Sequence, residues 1–313
     1  MLSYIIRRII AMVPILAFVA VFVFLLIHIT PVDPAAIIAG DYATLDQIAA
    51  IRTQLKLDRP LLEQFTTWVS RLARADLGVS IFSQQPVARL IGQRLEPTLI
   101  LALMATSMAV IIAVPLGVIA AYCGGGVFDR LVIGFSVLGF STPIFLVGYF
   151  LVYVFALGLD WFPAQGYSPL SAGLGFCFRS LLLPALAVAL LYVALITRVT
   201  RAVCIEVLNQ DYVRTAQAKG LEPWVVLWRH VLPNAAVPIA TVVGIGIAAM
   251  LGGVVVTETV FNVPGLGRLT ADAIVRRDYP IIQGLMLLFT GIYVGVNLLI
   301  DLSYVFFDPR ICY

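Results

Sequence analysis

The stretch Thr98–Tyr122 reads TLILALMATSMAVIIAVPLGVIAAY and contains no charged side chain. A helix needs about 20 mostly apolar residues to span a bilayer, where every backbone polar group must be paired internally. The whole chain has a matching composition, because 61% of its 313 residues are hydrophobic, 12% are charged and the mean hydropathy is +1.02. A soluble domain carries about a quarter charged residues. The sequence therefore predicts an all-α membrane protein.

Five further apolar segments predict a bundle of six transmembrane helices: Ile9–Ile29, Leu131–Leu157, Leu181–Thr197, Ala235–Val256 and Ile281–Val305. The fourth span in chain order is short, but it can continue as helix through Arg198 and Arg201. Both guanidinium groups could then reach the lipid headgroups from one face. The first span could instead be a cleaved signal peptide. Its length and its poor cleavage context favour a retained anchor.

Basic residues close to the span ends set the expected orientation. Arg7 and Arg8 precede the first span, and the loop between the fourth and fifth spans holds three more: Arg214, Lys219 and Arg229. Three basic residues on the opposite side oppose this orientation: Arg268, Arg276 and Arg277. On balance, the N-terminus, this loop and the C-terminus are expected in the cytoplasm.

The segment 31–96 is predicted to lie outside the membrane and to be helical. Thr44 and Gln47 have the spacing of a capping box, and Pro60 can end one helix and begin another. The segment could pack against the outer ends of the spans or serve as a docking surface for an external partner. The expected division is an anchor at 1–30, this segment at 31–96 and a membrane core at 97–313. A short outer helix is also expected at Gly265–Arg277.

The cytoplasmic loop 202–233 is predicted to be folded. Asp211–Lys219 has the pattern of a short helix, and Gly220 suits a helix end that needs a positive φ. Pro223 can open a second helix lying against the membrane, with an aromatic and apolar stripe on one face: Trp224, Trp228, Val231 and Leu232. Pro233 is expected to begin the fifth span. Such a compact unit offers a surface on which another protein can push.

This loop resembles the EAA loop of the membrane subunits of bacterial ABC importers. That motif is Glu-Ala-Ala, three residues, Gly, nine residues, then Ile-x-Leu-Pro. Four positions match it here: Ala216, Gly220, Leu232 and Pro233. Three depart from it: Arg214, Thr215 and His230. The string DYVRTAQAKGL at Asp211–Leu221 is similar to the form found in dipeptide, oligopeptide and nickel permeases.

The resemblance extends over nearly the whole chain and is to the first, or B-type, of the two permease subunits. The strings that carry it follow the family order, with Val32 where Gly is usual and Glu96 where Pro is usual. They are Pro31–Pro34, Lys56–Leu61, Asp76–Gly78, Arg94–Leu95, Pro97–Leu99, Thr257–Glu258, Phe261, Pro264–Arg268, Arg277–Pro280 and Asp308–Ile311.

The resemblance implies a type I ABC importer permease fold, half of a translocation pathway and a place in the bacterial plasma (inner) membrane. It implies four kinds of association: with a second homologous permease, two cytoplasmic ATPase subunits, an external substrate-binding protein and lipid. ATP and Mg would bind to the ATPases and no cofactor to this chain. The loop would couple the ATPases to the spans through these residues: Arg214, Thr215, Ala216, Ala218, Lys219, Gly220, Leu221, Leu232 and Pro233. Ala216 and Gly220, four residues apart, would allow the partner a close approach.

We do not expect this chain to catalyse a reaction itself. It has no GxxxxGK[ST] motif for ATP, and its four cysteines and two histidines show no metal-binding spacing. The candidates for a pathway or gate are small or ionisable residues near the spans: Gly244, Ala248, Gly252, Glu258 and Asp301. The small ones could contact either the second permease or this chain itself. For Glu258 we favour a structural role, pairing with Arg268 or the nearby backbone.

A polytopic membrane protein of this kind could belong to one of three classes of function. A secondary transporter should show broken helices together with charges at the membrane midplane, and such charges are missing. A membrane enzyme should show a nucleophile with its base, or a metal cluster. The ABC permease accounts for the loop best. Peptides are the expected substrate because the spans offer no cluster for a metal, with glutathione or nickel uptake as alternatives.

Overall fold

The computed structural model describes residues 2–29, 34–39, 43–54 and 57–307. Within these ranges the chain is built of helices and their connections, and the prediction of an all-α protein is confirmed. Residues 31–33 and 56, the string 308–311 and the cysteine at 312 lie outside the described residues.

The first span and the segment that follows it contain four helices. They are α1 (Leu2–Ile29), α2 (Pro34–Ala39), α3 (Leu45–Gln54) and α4 (Leu61–Leu72). The capping box is confirmed, because the Thr44 N–H donates to Gln47 Oε1 at 2.9 Å and the Gln47 N–H donates to Thr44 Oγ1 at 3.4 Å. Pro60 caps α4 as expected. Local capping chemistry is thus sufficient to start both helices.

The third predicted span is not one continuous helix. After α5 (Val87–Tyr122), the chain forms α6 (Val127–Ser141) and α7 (Ile144–Leu151), which a π-helix extends to Gly158. The two halves are bent by 102°. Pro143 has no N–H to donate to the preceding turn and disfavours a helical residue before it, and Thr142 is extended with ψ 124°. The prediction of unbroken helix over Leu131–Leu157 was wrong at this point.

The second half of the chain contains α8 (Leu174–Leu208), α9 (Asp211–Ala218), α10 (Pro223–Val226), α11 (Leu232–Val260), α12 (Leu266–Arg276) and α13 (Tyr279–Phe307). Helix α8 continues through Arg198 and Arg201, as expected, and α12 confirms the short helix predicted over Gly265–Arg277. Within the described ranges, five helices are long and apolar enough to cross a membrane. The bent pair makes a sixth if it forms one span.

The chain divides into two compact units, the first made of Met1–Leu95 with Leu269–Ile292. In this unit the ring of Phe24 on α1 contacts Phe65 and Trp68 of α4, with centroids 5.2 and 5.8 Å apart. The Ser80 hydroxyl donates to the buried carboxylate of Asp278. Phe65 and Trp68 of α4 therefore pack on the first span.

The second unit is made of Glu96–Arg268 with Tyr293–Tyr313, and α8 supplies much of its core. Small residues on α5 allow this helix to approach α8 closely. A Cβ placed on Gly117 would lie 2.6 Å from the Cβ of Thr200, and the Thr197 hydroxyl donates to the Ala113 carbonyl at 3.3 Å. A smaller cluster joins the ends of α5 and α8 to α9, α10 and α11. This second cluster positions the loop 202–233.

Candidate coupling surface and pathway residues

The helix end at Gly220 is formed as the sequence predicts. Gly220 has φ +79°, and the Leu221 N–H donates back to the Ala216 carbonyl at 3.4 Å. This hydrogen bond between residues five apart is typical of a Schellman motif, in which glycine is favoured because other side chains are strained at positive φ. Pro223 then occupies the first turn of α10, where a missing N–H costs nothing.

The buried side of α9 consists of Val213 and Ala216, which are 0% and 6% exposed. Val213 belongs to the smaller cluster together with Val226, Leu227 and Val231 of the segment that follows. Ala216 is therefore buried within this chain, and its contact with a partner beside Gly220 stays a prediction. A Cβ on Gly220 would meet nothing within 4 Å, so the close approach to another protein is open there.

The exposed side of α9 and its turn carries most of the residues predicted to couple: Arg214, Thr215, Ala218, Lys219, Gly220 and Leu221. Arg214 forms a 3.8 Å ion pair with Asp211, and both side chains are largely exposed. Such a pair contributes little to stability, so Arg214 is available to another protein. Together these exposed residues form what we call the loop surface.

Two aromatic side chains enlarge the loop surface and were not assigned to it from the sequence. Tyr212 is 45% exposed and Trp224 is 59% exposed. Burial of the remainder of the ring raises the pKa of Tyr212, so its phenol stays neutral and can donate a hydrogen bond. Aromatic residues are enriched at the centres of protein interfaces. Tyr212 directly precedes the buried Val213 and so lies on a different face of α9, which could have indicated its exposure.

The second helix of the loop differs from the prediction in two respects. It does not end before the fifth span, because a π-helix over Leu227–Val231 joins α10 to α11 without a break. The expected stripe is also split. Trp224 and Trp228 are exposed with ring centroids 5.2 Å apart, whereas Val231 is completely buried. The wider turn of a π-helix shifts residues around the axis, which a constant helical period does not anticipate.

Leu232 and Pro233, which match the end of the family motif, begin α11. Leu232 packs against the smaller cluster and Pro233 is exposed. Leu232 thus anchors the end of the loop to the bundle.

Among the residues considered for a pathway, Gly244 makes a contact inside the chain. A Cβ at this position would lie 1.9 Å from Cδ1 of Ile300 on α13. Helices α11 and α13 therefore approach closely here, and of the two alternatives left open by the sequence, contact within the chain holds at Gly244. Ala248 and Asp301 are half-buried. Gly252 lies in α11, but its surroundings fall outside the described side chains.

Glu258 lies at the centre of a buried hydrogen-bond network. Its side chain is 0% exposed, and its carboxylate accepts the Thr98 hydroxyl at 2.5 Å and the Arg268 backbone N–H at 2.9 Å. Thr98 Oγ1 in turn accepts the Leu266 N–H at 2.8 Å. The expected pairing of Glu258 with the nearby backbone is confirmed. The network joins α5, at Thr98, and the start of α12 to the end of α11.

Glu96, which replaces the proline usual in the resembled family, holds the loop before α8. Its carboxylate accepts the Tyr167 hydroxyl at 2.7 Å and the Leu170 N–H at 2.9 Å. Burial, and secondarily the bond to Glu96, raise the pKa of Tyr167, so that the phenol remains a donor. Sequence reasoning missed this contact because the two residues are 71 positions apart.

No group of three or more His, Cys, Asp or Glu side chains that could hold a metal ion occurs among the described residues. Cys123, Cys177 and Cys204 are free thiols, and the latter two are buried.

Two family models together match all of the chain except residues 103–112. Residues 113–313 match the inner membrane component of binding-protein-dependent transport systems, and residues 1–102 match the N-terminal part of such membrane components.

Individual relatives are similar over their full length. A protein named as a probable peptide ABC transporter permease, y4tP of Sinorhizobium fredii, is 48% identical over 310 residues, which cover 99% of each chain. A putative peptide transport system permease of Brucella abortus is 40% identical over 314 residues and all of both chains. The glutathione transport system permease GsiC of Shigella flexneri is 41% identical, again over all of both chains.

A solved structure shares the fold. A chain from the inward-facing MetNI methionine ABC transporter superposes with a TM-score of 0.59, covering 71% of this chain and 97% of that one. The two sequences are 14% identical, so this similarity concerns the fold alone.

Proposed function

The chain belongs to the family of binding-protein-dependent transport system inner membrane components, and we propose that it forms half of the translocation pathway of an ATP-driven importer of di- and oligopeptides. Its fold is the type I ABC importer permease fold expected from the sequence. Membership of a binding-protein-dependent family argues against the alternative of a secondary transporter.

The observation that carries the coupling role is the loop surface. Its exposed residues lie between Arg214 and Leu221 on α9 and its turn, and Val213 holds α9 to the bundle through the smaller cluster. A force applied to this surface would pass through the smaller cluster to α5, α8 and α11. We propose that two cytoplasmic ATPases, which would bind ATP and Mg, contact this surface and a homologous one on a second permease.

Transport would follow alternating access. An external binding protein delivers the substrate, closure of the ATPases on ATP moves the loop surface, and the spans exchange one open side for the other. The candidates Gly244, Ala248, Gly252, Glu258 and Asp301 remain proposals for the pathway or gate. At Gly244 and Glu258 the contacts inside the chain favour a role in positioning helices.

Peptides are the substrate class that we favour. The relatives at 48% and 40% identity are named for peptide transport, and the glutathione permease at 41% is named for a molecule that is itself a small peptide. Nickel uptake receives less support, because the described residues include no cluster that could hold a metal ion. Competition between a labelled dipeptide, glutathione and nickel for uptake would separate these substrates.

The test of coupling is the variant Gly220→Arg. A side chain here meets nothing within the chain but would project from the loop surface, so we expect ATP hydrolysis to become independent of substrate and uptake to be lost. Gly125→Arg is a matched control. Gly125 also has φ +79° with nothing within 4 Å, and it lies in the turn between α5 and α6, outside α9 and its turn. Positive φ costs about 1–2 kcal/mol in either variant.

The measurement is ATP-dependent uptake by proteoliposomes, together with ATPase rates of the purified complex. Recovery of P-loop ATPases and a second permease with the tagged chain in mild detergent would support the assembly. If the chain purifies alone and transports without ATP, the proposal fails. If Gly220→Arg transports as well as Gly125→Arg does, the loop surface is not the coupling site.

A further inference from the structure

A groove between α6 and α8 takes no part in the proposed coupling. It encloses about 490 Å³. Its walls come from both helices and include Val132, Ile133, Val137, Phe140, Leu195 and Arg198.

The α6 side of the groove is apolar and uncovered. Ile133, Val137 and Phe140 are 41%, 57% and 64% exposed, and their spacings of four and three residues place them on one face of the helix. In a bilayer such a face is covered either by lipid or by another membrane helix. Neither α8 nor any other described helix covers these three side chains.

The charge at the groove comes from Arg198. Arg201, about one turn away, donates two hydrogen bonds to the Asp129 carboxylate, so its charge is balanced inside the chain. Arg198 is exposed, and within the described residues it forms no ion pair. The hydroxyls of Ser136 and Thr197 also line the groove, but both donate to backbone carbonyls. An uncompensated cation thus stands beside an apolar strip.

We propose that this groove binds an anionic phospholipid, with the phosphate at Arg198 and an acyl chain along Ile133, Val137 and Phe140. Basic pockets between transmembrane helices are suited to anionic headgroups, and a guanidinium forms strong charge-assisted bonds with phosphate oxygens. A peptide fits the groove less well, because its backbone amides would face apolar side chains and lose their hydrogen bonds with water. A covering protein helix would need an acidic residue within the membrane to meet Arg198.

The test uses the full-length chain, purified in mild detergent with the subunits that it retains. Native mass spectrometry measures the binding of phosphatidylglycerol and, separately, of zwitterionic phosphatidylcholine. We expect Arg198→Gln to weaken phosphatidylglycerol binding about tenfold, because one charge-assisted contact is lost. Arg198→Lys should retain most of the binding. Arg130→Gln is the matched control, since Arg130 is an exposed arginine of α6 that does not line the groove.

The apolar part of the site is tested by Val137→Asn, which should weaken phosphatidylglycerol binding while Arg198 is intact. Each variant must elute as a single species in size-exclusion chromatography, and Arg198→Lys keeps the test decisive if the Gln variant does not. Equal binding of the two lipids by the wild type, or equal phosphatidylglycerol binding by Arg198→Gln and Arg130→Gln, would overturn the proposal. A disulfide from Val137→Cys to a second permease subunit would also overturn it, since protein would then cover the groove.

Discussion

At the scale of single residues, Glu258 shows how a charged side chain is accommodated between helices. Its carboxylate has no exposure to solvent, and it accepts hydrogen bonds from a hydroxyl and from a backbone N–H. A buried charge is tolerated only when such partners replace water. The sequence indicated the backbone partner, which lies ten residues away. It could not indicate Thr98, because that pairing spans 160 residues and depends on how α5 packs against α11.

Removing this carboxylate should destabilise the protein. Glu258→Ala leaves the Arg268 N–H without this acceptor and removes a charged partner of Thr98, so we expect a loss of about 2–3 kcal/mol in the free energy of unfolding. The measurement is an unfolding titration with a denaturing detergent. Glu206→Ala, at an exposed position of α8, is the control and should change stability by less than about 0.5 kcal/mol.

Gly265 tests whether the network acts as a unit. A Cβ here would lie 2.0 Å from Oε1 of Glu258, so Gly265→Ala must displace the carboxylate. We expect this variant alone to be destabilised by an amount similar to Glu258→Ala, and the double variant to lose clearly less than the sum, because the clash disappears with the carboxylate. The same unfolding titration measures all three. If the stability losses of the two single variants simply add in the double variant, Gly265→Ala does not act through the Glu258 carboxylate.

At the scale of elements, the structure was predictable where the signals are local. The capping box at Thr44, the turn at Gly220 and the start at Pro223 depend on neighbouring residues, and all three were predicted correctly. The bend at Pro143 and the π-helix before α11 were not predicted. Proline is tolerated inside α5, α8 and α11, so its presence does not specify a break. Whether a helix bends there depends on packing that a linear pattern does not contain.

The pair of Asp129 and Arg201 should hold α6 to α8. Asp129 is 2% exposed and also accepts the Gly125 N–H at 2.9 Å, which fixes the turn between α5 and α6. The pair is only partly buried, because 24% of the Arg201 side chain is exposed. We therefore expect Asp129→Ala to lower the free energy of unfolding by about 2–3 kcal/mol, less than for a fully buried pair. A double-mutant cycle with Arg201→Ala should give a coupling of about 1–3 kcal/mol. A coupling energy near zero would mean that Asp129→Ala destabilises the protein only through the turn between α5 and α6, where its bond to the Gly125 N–H is lost.

At the scale of the whole molecule, the number of membrane crossings decides whether the loop surface can reach cytoplasmic ATPases. If α6, α7 and the π-helix together cross once, the described helices make six crossings; if they form a re-entrant loop, the helices make five. With five crossings and a cytoplasmic N-terminus, the loop after α8 would lie outside. The basic residues of this loop would then lie outside, against the positive-inside rule: Arg214, Lys219 and Arg229. Charge thus favours six crossings despite the 102° bend.

Labelling of single cysteines with a membrane-impermeant maleimide on intact cells tests this expectation. Cys123 and Cys312 are first replaced by serine, since Cys123 is half-exposed and would react in the background. With one crossing by the bent pair, Asp160→Cys should be labelled from outside, whereas Gly125→Cys and Lys219→Cys should react only after the cells are opened. Labelling of positions 125 and 160 from the same side would instead establish a re-entrant loop. The loop surface would then lie outside, out of reach of cytoplasmic ATPases, and the proposed coupling would fail together with the six-helix topology.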